Sequence, residues 1–352
     1  MNPVPAADAS VPGSDTPVLR PIPTPSIDVV IVNYRSGPLA ISCLESLAAE
    51  RTPGLRLRAF VVDNASPDNS ATVIEQAIAR HGWDWARLIH SPVNGGFGAG
   101  NNLGFAAVLA QETPADVVWL LNPDTRVMPG AAKALARFIA QMPAAGIVGT
   151  GLLEADGAPW PHAFRFPSIL GELERGLRWR VASRLLARSA VSRRMGGDPA
   201  PVDWVSGASM AIRREVLEAG LRFDEGFFLY FEETDFCRMA RAEGWQSWYL
   251  PQAVVLHISG QSTGVTAKDA GRRRMPGYWF DSRRHYFLKN HGRAYAVVAD
   301  MAWMMAHATY TANRMLARKP QVDPDRLMFD FARHSALVPQ GRRGRLRASG
   351  RG

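Results

Sequence analysis

Residues 27–66 read IDVVIVNYRSGPLAISCLESLAAERTPGLRLRAFVVDNAS. The stretch opens on an apolar, β-branched run from Asp28 to Val32. It continues through Leu39, Ile41, Leu44 and Leu47 at helical spacing, and returns to a second apolar run from Ala59 to Val62. A strand, a helix and another strand in so short a span form the unit from which parallel sheets are built, since near-continuous apolar strands need cover on both faces.

Outward from this unit the alternation repeats. Further runs at Arg87 to His90, Val117 to Leu121 and Ile147 to Gly149 are separated by helical patterns at Val73, Ile74, Ala77 and Ile78, and at Ala134, Leu135, Phe138 and Ile139. An α/β fold is predicted for residues 27–152. Ligands of open α/β sheets bind beyond the carboxyl ends of the strands. Three of those ends are polar: Asn33-Tyr34-Arg35, Asp63-Asn64-Ala65-Ser66 and Asn122-Pro123-Asp124-Thr125. Taken singly, each reads equally well as a helix cap or a turn. Together on one sheet edge they favour a binding site.

A fourth element, Asn94-Gly95-Gly96-Phe97-Gly98-Ala99-Gly100-Asn101-Asn102, precedes a helical stretch from Leu103 to Leu109. Its glycines permit positive φ and close approach of a ligand to the backbone. It does not follow the first strand as a dinucleotide fingerprint does, and no P-loop pattern occurs.

Composition narrows the class. Of 352 residues, 47% are hydrophobic and 21% charged, which suits a globular enzyme. Cys43 and Cys237 are too few for a disulfide framework or a four-thiolate zinc site and read as buried packing in a reducing compartment. The most apolar stretch, Tyr295 to Tyr310, is interrupted by Asp300 and His307, so no spanning helix is expected. Residues 1–26, rich in Pro, Ala and Ser, read as a disordered lead rather than a signal peptide. The net charge of +9 is unevenly placed: 18 Lys and Arg face 6 Asp and no Glu after residue 260, against 23 and 26 before it. A basic C-terminal quarter suggests a polyanionic partner, either an anionic membrane surface or nucleic acid.

The motifs at 32–35, 62–66, 94–102 and 121–124 resemble glycosyltransferase family 2, closest to its rhamnosyltransferase-like and galactofuranosyltransferase-like members. The resemblance continues through Trp204-Val205-Ser206-Gly207-Ala208, Phe223-Asp224-Glu225-Gly226-Phe227-Phe228, Glu232-Glu233-Thr234-Asp235 and His257, and spans roughly Ile27 to Ser262. It implies a GT-A fold, a mostly parallel central sheet flanked by helices with a C-terminal helical extension. It divides the chain into a nucleotide-sugar-binding half at 27–152, an acceptor-binding and catalytic half at 153–262, a basic amphipathic extension at 263–335 and a disordered basic tail at 336–352.

The resemblance also implies roles. Asn33, Tyr34, Asp63, Asn64, Asn94, Gly95, Gly96, Asn101 and Asn122 would hold the nucleotide sugar, with Asp63 accepting the N3–H of uracil or thymine. The family's D-x-D element stands here as Asn122-Pro123-Asp124, so Asp124 would bind Mg²⁺ or Mn²⁺ together with His257, and the missing first aspartate removes one charge. His257 reads alternatively as a satisfied core histidine. An acceptor hydroxyl needs a proton acceptor on the face opposite the leaving group. Glu233 occupies the position of the family's usual base, one methylene longer than the common aspartate, with Glu232 as runner-up. Both acids also suit the first turn of a helix. Trp204, Gly207 and Asp235 would form the acceptor site, Trp204 by stacking on a sugar, although a packed core tryptophan is the plainer reading.

Beyond Ser262, the aromatic and basic mixture Trp279 to Gly292 and the apolar Ala294 to Tyr310 suit helices at a membrane interface, or else a terminal helix packed on the catalytic domain. The expected activity is metal-dependent, inverting transfer of a sugar such as rhamnose from a dTDP- or UDP-sugar to a polyprenyl-linked or growing glycan acceptor. It would serve cell-surface polysaccharide synthesis on the cytoplasmic face of the inner membrane. The alternative is a non-catalytic nucleotide-binding protein with a nucleic-acid-binding tail; the acidic balance of the first 260 residues and the lack of a nucleic-acid motif stand against it.

Overall fold

The computed structural model describes residues 26–159, 163–258 and 273–339. Of the expected lead at 1–26 and tail at 336–352, residues 1–25 and 340–352 lie outside the described residues, as do 259–272, where the motif series ends and the extension begins; Ala336 is buried, so the chain is packed past the expected start of the tail.

The first half alternates strands and helices as its sequence pattern requires. β1 (Ile27–Asn33), α1 (Gly37–Glu50), β2 (Leu57–Asp63), α2 (Ser70–Arg80), β3 (Ala86–His90), α3 (Gly96–Leu109) and β4 (Val117–Leu121) follow in order. β1 pairs in parallel with β2 and β4, and β2 with β3. β1 and β4 are buried on both faces, which is why their sequences are continuous rather than alternating. Asp28, fully buried in β1, is matched by Arg58 on the neighbouring strand in a two-pronged pair at 2.8 and 2.6 Å. Gly37-Pro38 opens α1, where proline's missing N–H costs nothing.

α3 begins at Gly96, seven residues earlier than the apolar pattern from Leu103 suggested. Glycine is a poor helix former, but tertiary packing overrides that preference here. A Cβ on Gly100 would stand 2.7 Å from Val32 Cγ1, and one on Gly104 2.3 Å from Val30 Cγ1. The bare face therefore lets α3 lie directly on β1.

The remainder comprises β5 (Thr125–Val127), α4 (Ala131–Gln141), β6 (Ala145–Leu153), β7 (Ala163–Phe164), α5 (Ile169–Leu177), α6 (Arg180–Leu185), β8 (Ala200–Val202), β9 (Trp204–Val205), β10 (Ser209–Arg213), α7 (Arg214–Glu218), α8 (Glu232–Ala242), β11 (Gln246–His257), α9 (Gly277–Leu316) and α10 (Leu327–His334). Among the described residues, nine strands form one sheet in the order β3-β2-β1-β4-β10-β6-β11-β5, with β8 on β11. The parallel half ends at β4. β10 then runs antiparallel between β4 and β6, while β11 returns parallel to β6. β7 and β9 form a small separate ribbon. Cys43 and Cys237 are free and buried, and burial pushes both thiols up to about 12, in keeping with a packing role.

α9 is two helices joined at Gly292, whose φ of 80° and ψ of 172° break the helical path. It packs on α5, α8 and α10. Phe280, Tyr286, Phe287 and Trp303 are buried, with Trp303 stacked on Phe331 of α10 at 3.9 Å. This corrects the expectation that the aromatics of 279–310 face a membrane: they are spent on internal cores. Arg283, nearly fully buried, bonds Glu172 of α5 at 2.9 Å and also pairs with Asp300, so α5 and both halves of α9 meet at one charge cluster. No helix among the described residues is long and apolar enough to cross a membrane.

Candidate active site

The carboxyl ends of β1, β2 and β4 meet the start of α3 on one side of a cavity of about 410 Å³. The rest of the lining comes from the β9–β10 turn, the segment 228–230 and the first turn of α8. Of the residues expected to bind a nucleotide sugar, Tyr34, Asn64, Asn94, Gly96 and Asn122 line this space. Asn33, Asp63, Gly95 and Asn101 stand behind them. Asn33 Nδ2 donates to Asp63 Oδ1 at 2.8 Å, and Ser66 N donates to Asp63 Oδ2 at 3.0 Å, tying the ends of β1 and β2 together. Asn101 donates to the carbonyl of Phe97 inside α3. Asn64 Nδ2 donates to Asn94 Oδ1 and to the carbonyl of Gly96, each at 3.0 Å, while its buried Oδ1 accepts no hydrogen bond among the described residues.

Gly96 is held in the left-handed region, φ +87°, against the backbone of Phe228. Phe97 N donates to Phe228 O at 3.1 Å, so the glycine-rich start of α3 is sewn to the wall that carries the acids.

Asp124 and His257 come together through strand pairing. The antiparallel ladder between β5 and β11 sets His257 opposite Thr125, and Ile258 N donates to Asp124 O at 2.9 Å. His257 Nε2 then lies 3.4 Å from Asp124 Oδ1. The turn that presents Asp124 is fixed by Thr125, whose N–H and hydroxyl both donate to Asn122 O, and by Asn122 N donating to Ala208 O. A carboxylate oxygen and an imidazole nitrogen converging on one edge of the cavity suit a hard or borderline divalent cation, with its remaining positions open to a diphosphate and water.

Glu232 and Glu233 line the same cavity at the start of α8. The chain reaches them through Tyr230 and Phe231, consecutive non-glycine residues with φ of 72° and 70°. Such backbone strain concentrates where a site demands a particular side-chain direction. Burial pushes the Glu233 carboxyl above the usual 4.5, partly offset by its own N–H and that of Gly207. Burial and the neighbouring Glu233 charge push Glu232 well above it. Neither Oε2 accepts a hydrogen bond among the described residues. A desolvated carboxylate with one oxygen free of hydrogen bonds among the described residues has the chemistry to take a proton.

Two acceptor-site expectations are corrected. The Trp204 indole stacks on Phe164 at 4.1 Å and donates its N–H to Arg165 O, and it is not on the cavity wall. Asp235 is fully buried, with Oδ2 bound by Lys289 Nζ at 2.7 Å and Oδ1 by Asn290 Nδ2 at 2.8 Å. Its work is to anchor α8 to α9. Lys289 also bonds Asp224, whose carboxyl is brought down to about 2 against its burial by Lys289, His285 and Gly226 N–H. Gly207 does line the cavity. Sequence reasoning missed Tyr230 and Tyr278, wall residues whose rings lie 19° from parallel at 6.2 Å and which replace Trp204 as the aromatic surface. The available signal was the aromatic run Phe227 to Phe231 directly before the acids.

A family described as "Glycosyltransferase like family 2" matches residues 24–275. The chain is 30% identical over 257 residues, covering 68% of it and 78% of the relative, to an N-acetylglucosaminyl-diphospho-decaprenol L-rhamnosyltransferase of Mycobacterium tuberculosis (strain CDC 1551 / Oshkosh). Among solved structures, the mannosyltransferase PcManGT from Pyrobaculum calidifontis, in complex with GDP-Man and Mn²⁺, aligns with TM-score 0.50 and 17% identity over 84% of this chain and 75% of that one. TarS 1–349 of S. aureus in complex with UDP-GlcNAc aligns with TM-score 0.52 and 14% identity over 88% and 79%. At these identities the structural likeness speaks for the fold.

Proposed function

We propose, from the premise that the chain belongs to glycosyltransferase-like family 2, how this GT-A enzyme uses its cavity. The chain is a glycosyltransferase; the proposal concerns donor, acceptor, metal and base. One observation carries it: the Asp124–His257 pair and the Glu232–Glu233 pair line a single cavity.

The donor is a pyrimidine nucleotide-diphospho-sugar. Its nucleoside lies along Tyr34, Asn64 and Asn94. The base reaches past Asn64 to Asp63, which stands behind the cavity lining, has accepted one hydrogen bond on each oxygen and keeps a lone pair for the N3–H of uracil or thymine. Asp124 and His257 would hold Mg²⁺ or Mn²⁺, which when bound stabilises the negative charge that develops on the departing diphosphate. Asn122 lends a neutral amide where a second carboxylate would have added charge.

The acceptor hydroxyl enters between Gly207 and the tyrosine pair, Tyr230 and Tyr278. Its oxygen forms the new bond to the sugar C1 as the bond from C1 to the diphosphate oxygen breaks. Glu233 takes the hydroxyl proton from the face opposite the leaving group, so configuration at C1 inverts. Its raised pKa brings it nearer neutrality, which strengthens it as a base. By analogy with the mycobacterial relative, the sugar is rhamnose and the acceptor a sugar linked through diphosphate to a polyprenyl chain. An acceptor of that kind requires the enzyme to work peripherally at the cytoplasmic face of a membrane.

The test is transfer from dTDP-rhamnose and from UDP-sugars to a diphosphoprenyl-linked N-acetylglucosamine, with Mn²⁺ or Mg²⁺ present, alongside thermal shifts with the nucleotides alone. Transfer from a pyrimidine donor and a larger shift with UDP or dTDP than with GDP are expected. A folded protein that transfers only from GDP-sugars sinks the assigned role of Asp63.

A further inference from the structure

The aromatics of α9 are packed internally or, as with Tyr278, line the cavity, which leaves them no part in meeting a membrane around a lipid-linked acceptor. The segment from Trp179 to Arg188, inserted between β7 and β8 and far in sequence from the basic tail, has the needed chemistry. α6 exposes Val181 and Leu185 at 67% and 80%, one helical turn apart, and the preceding Trp179 is 40% exposed. Arg180, Arg184 and Arg188 are exposed around them, and none makes an ion pair among the described residues. No acidic residue occurs between Arg175 and Arg194.

Two neighbours in the same segment show what a packed arginine looks like here. Arg178 bonds Asp323 at 2.8 Å and lies 5.2 Å from the Tyr310 ring, while Arg175 bonds Glu172 at 2.6 Å. Arg175 also lies 5.2 Å from the Trp279 ring and 5.8 Å from the Trp303 ring, so the two arginines fasten the end of α5 to α9, where a Cβ on Gly176 would stand 2.6 Å from Ala306 Cβ. Ser183 Oγ then bonds Glu174 at 2.7 Å and holds α6 on that base. The result is a fixed platform with its cations and apolar side chains turned outward.

We propose that α6 and its flanks, Trp179 to Arg188, form the surface by which the enzyme docks on an anionic phospholipid bilayer. Val181 and Leu185 enter the acyl boundary, Trp179 sits at headgroup level, and the three arginines pair with lipid phosphates. The charge pattern selects this occupant, because unopposed arginines ringing an exposed apolar pair complement an anionic headgroup layer. The inference deepens the reading of a lipid-linked acceptor and takes its purpose from it.

The test uses the full chain and sedimentation with phosphatidylcholine vesicles, with and without phosphatidylglycerol. The parent protein is expected to favour the anionic vesicles. Replacing Arg180, Arg184 and Arg188 together by Gln should cut that partitioning by roughly 10²-fold, taking about fivefold for each cation. Val181→Ser with Leu185→Ser should cut it on the order of tenfold or more and remove the part that survives high salt. Both variants should keep the parent's melting temperature, its shift with nucleotide donor and its transfer to a short-chain, water-soluble acceptor. Unchanged vesicle binding by folded variants, or a parent that ignores anionic vesicles, overturns the proposal, as does a dimer that the α6 variants dissociate. Loss of binding by the variants supports it even if no transfer is detected, so failure of the assigned reaction would be seen separately.

Discussion

A Cβ on Gly96 would stand 1.9 Å from the carbonyl oxygen of Phe228. The contact joins the donor half of the fold to the wall that carries the acids, and it is made at a φ of +87° that only glycine adopts without strain. Gly96→Ala meets both penalties. The left-handed backbone alone costs about 1–2 kcal/mol for alanine, and the collision must be relieved by parting α3 from segment 228–230. We expect a melting temperature several degrees lower and weakened nucleotide-sugar affinity, measured by calorimetry and thermal shift. A variant with parental stability would mean that the two walls move independently.

The Asp124–His257 pair predicts an ordered response to metal. Asp124→Ala removes the charged member and should abolish stimulation of transfer by Mn²⁺ or Mg²⁺. His257→Ala should raise the metal concentration needed while leaving stimulation measurable. Chelation should silence the parent reversibly. Titrating metal against transfer rate in the three proteins checks the order, and full stimulation in Asp124→Ala would place the cation elsewhere.

The strands and helices of the donor half were legible because each carries a period that nothing else in the chain contradicts. β1 and β4 are apolar on both faces, and Asn64, Asn94, Asn122 and Asp124 follow where strand ends favour a ligand. What could not be read is which polar residues face the cavity and which face each other. Asn33 and Asp63 are adjacent only because β1 and β2 pair in register, Asn33 with Asp63. Asp235 belongs to Lys289 and Asn290 across 54 and 55 residues of sequence. Trp204 looked like a sugar platform because a sequence shows an aromatic face and not the Phe164 that covers it. The aromatics of α9 read as interfacial for the same reason: their partners, Phe331 and Phe231, lie on other elements.

Arg283 predicts where stability resides in the C-terminal region. It is buried between Glu172 and Asp300, and Asp300 Oδ2 also accepts the N–H of Ala336 at 2.6 Å. Arg283→Met would leave Asp300 buried without its cation, while Glu172 keeps Arg175, and should cost about 3–5 kcal/mol. Adding Asp300→Asn should recover much of that loss, because the uncompensated charge is then gone. Urea unfolding of the single and double variants separates this account from a simple loss of packing, in which the double variant would be no better than the single one.

The paired acids of α8 make a prediction about both rate and stability. Glu233→Gln keeps the size of the side chain but removes its ability to take a proton, so transfer should fall by roughly 10²-fold or more while donor affinity survives. Glu232→Gln should be milder. Its carboxyl is held well above 4.5 by burial and by the Glu233 charge. In the folded state it therefore binds a proton at pH values where the unfolded chain has released it, and stability falls as pH rises through that interval. It is fullest below the ordinary 4.5 and is lost as pH climbs through the raised folded value. Glu232→Gln removes this liability, so it should raise the melting temperature at neutral and alkaline pH, with the gain shrinking toward pH 4. The parent's single-turnover rate should climb with pH as Glu233 ionises, and Glu232→Gln should leave that climb in place, because the more strongly raised Glu232 is still neutral where Glu233 ionises. Collapse of transfer in Glu232→Gln, with near-normal transfer in Glu233→Gln, would move the base one residue back along α8.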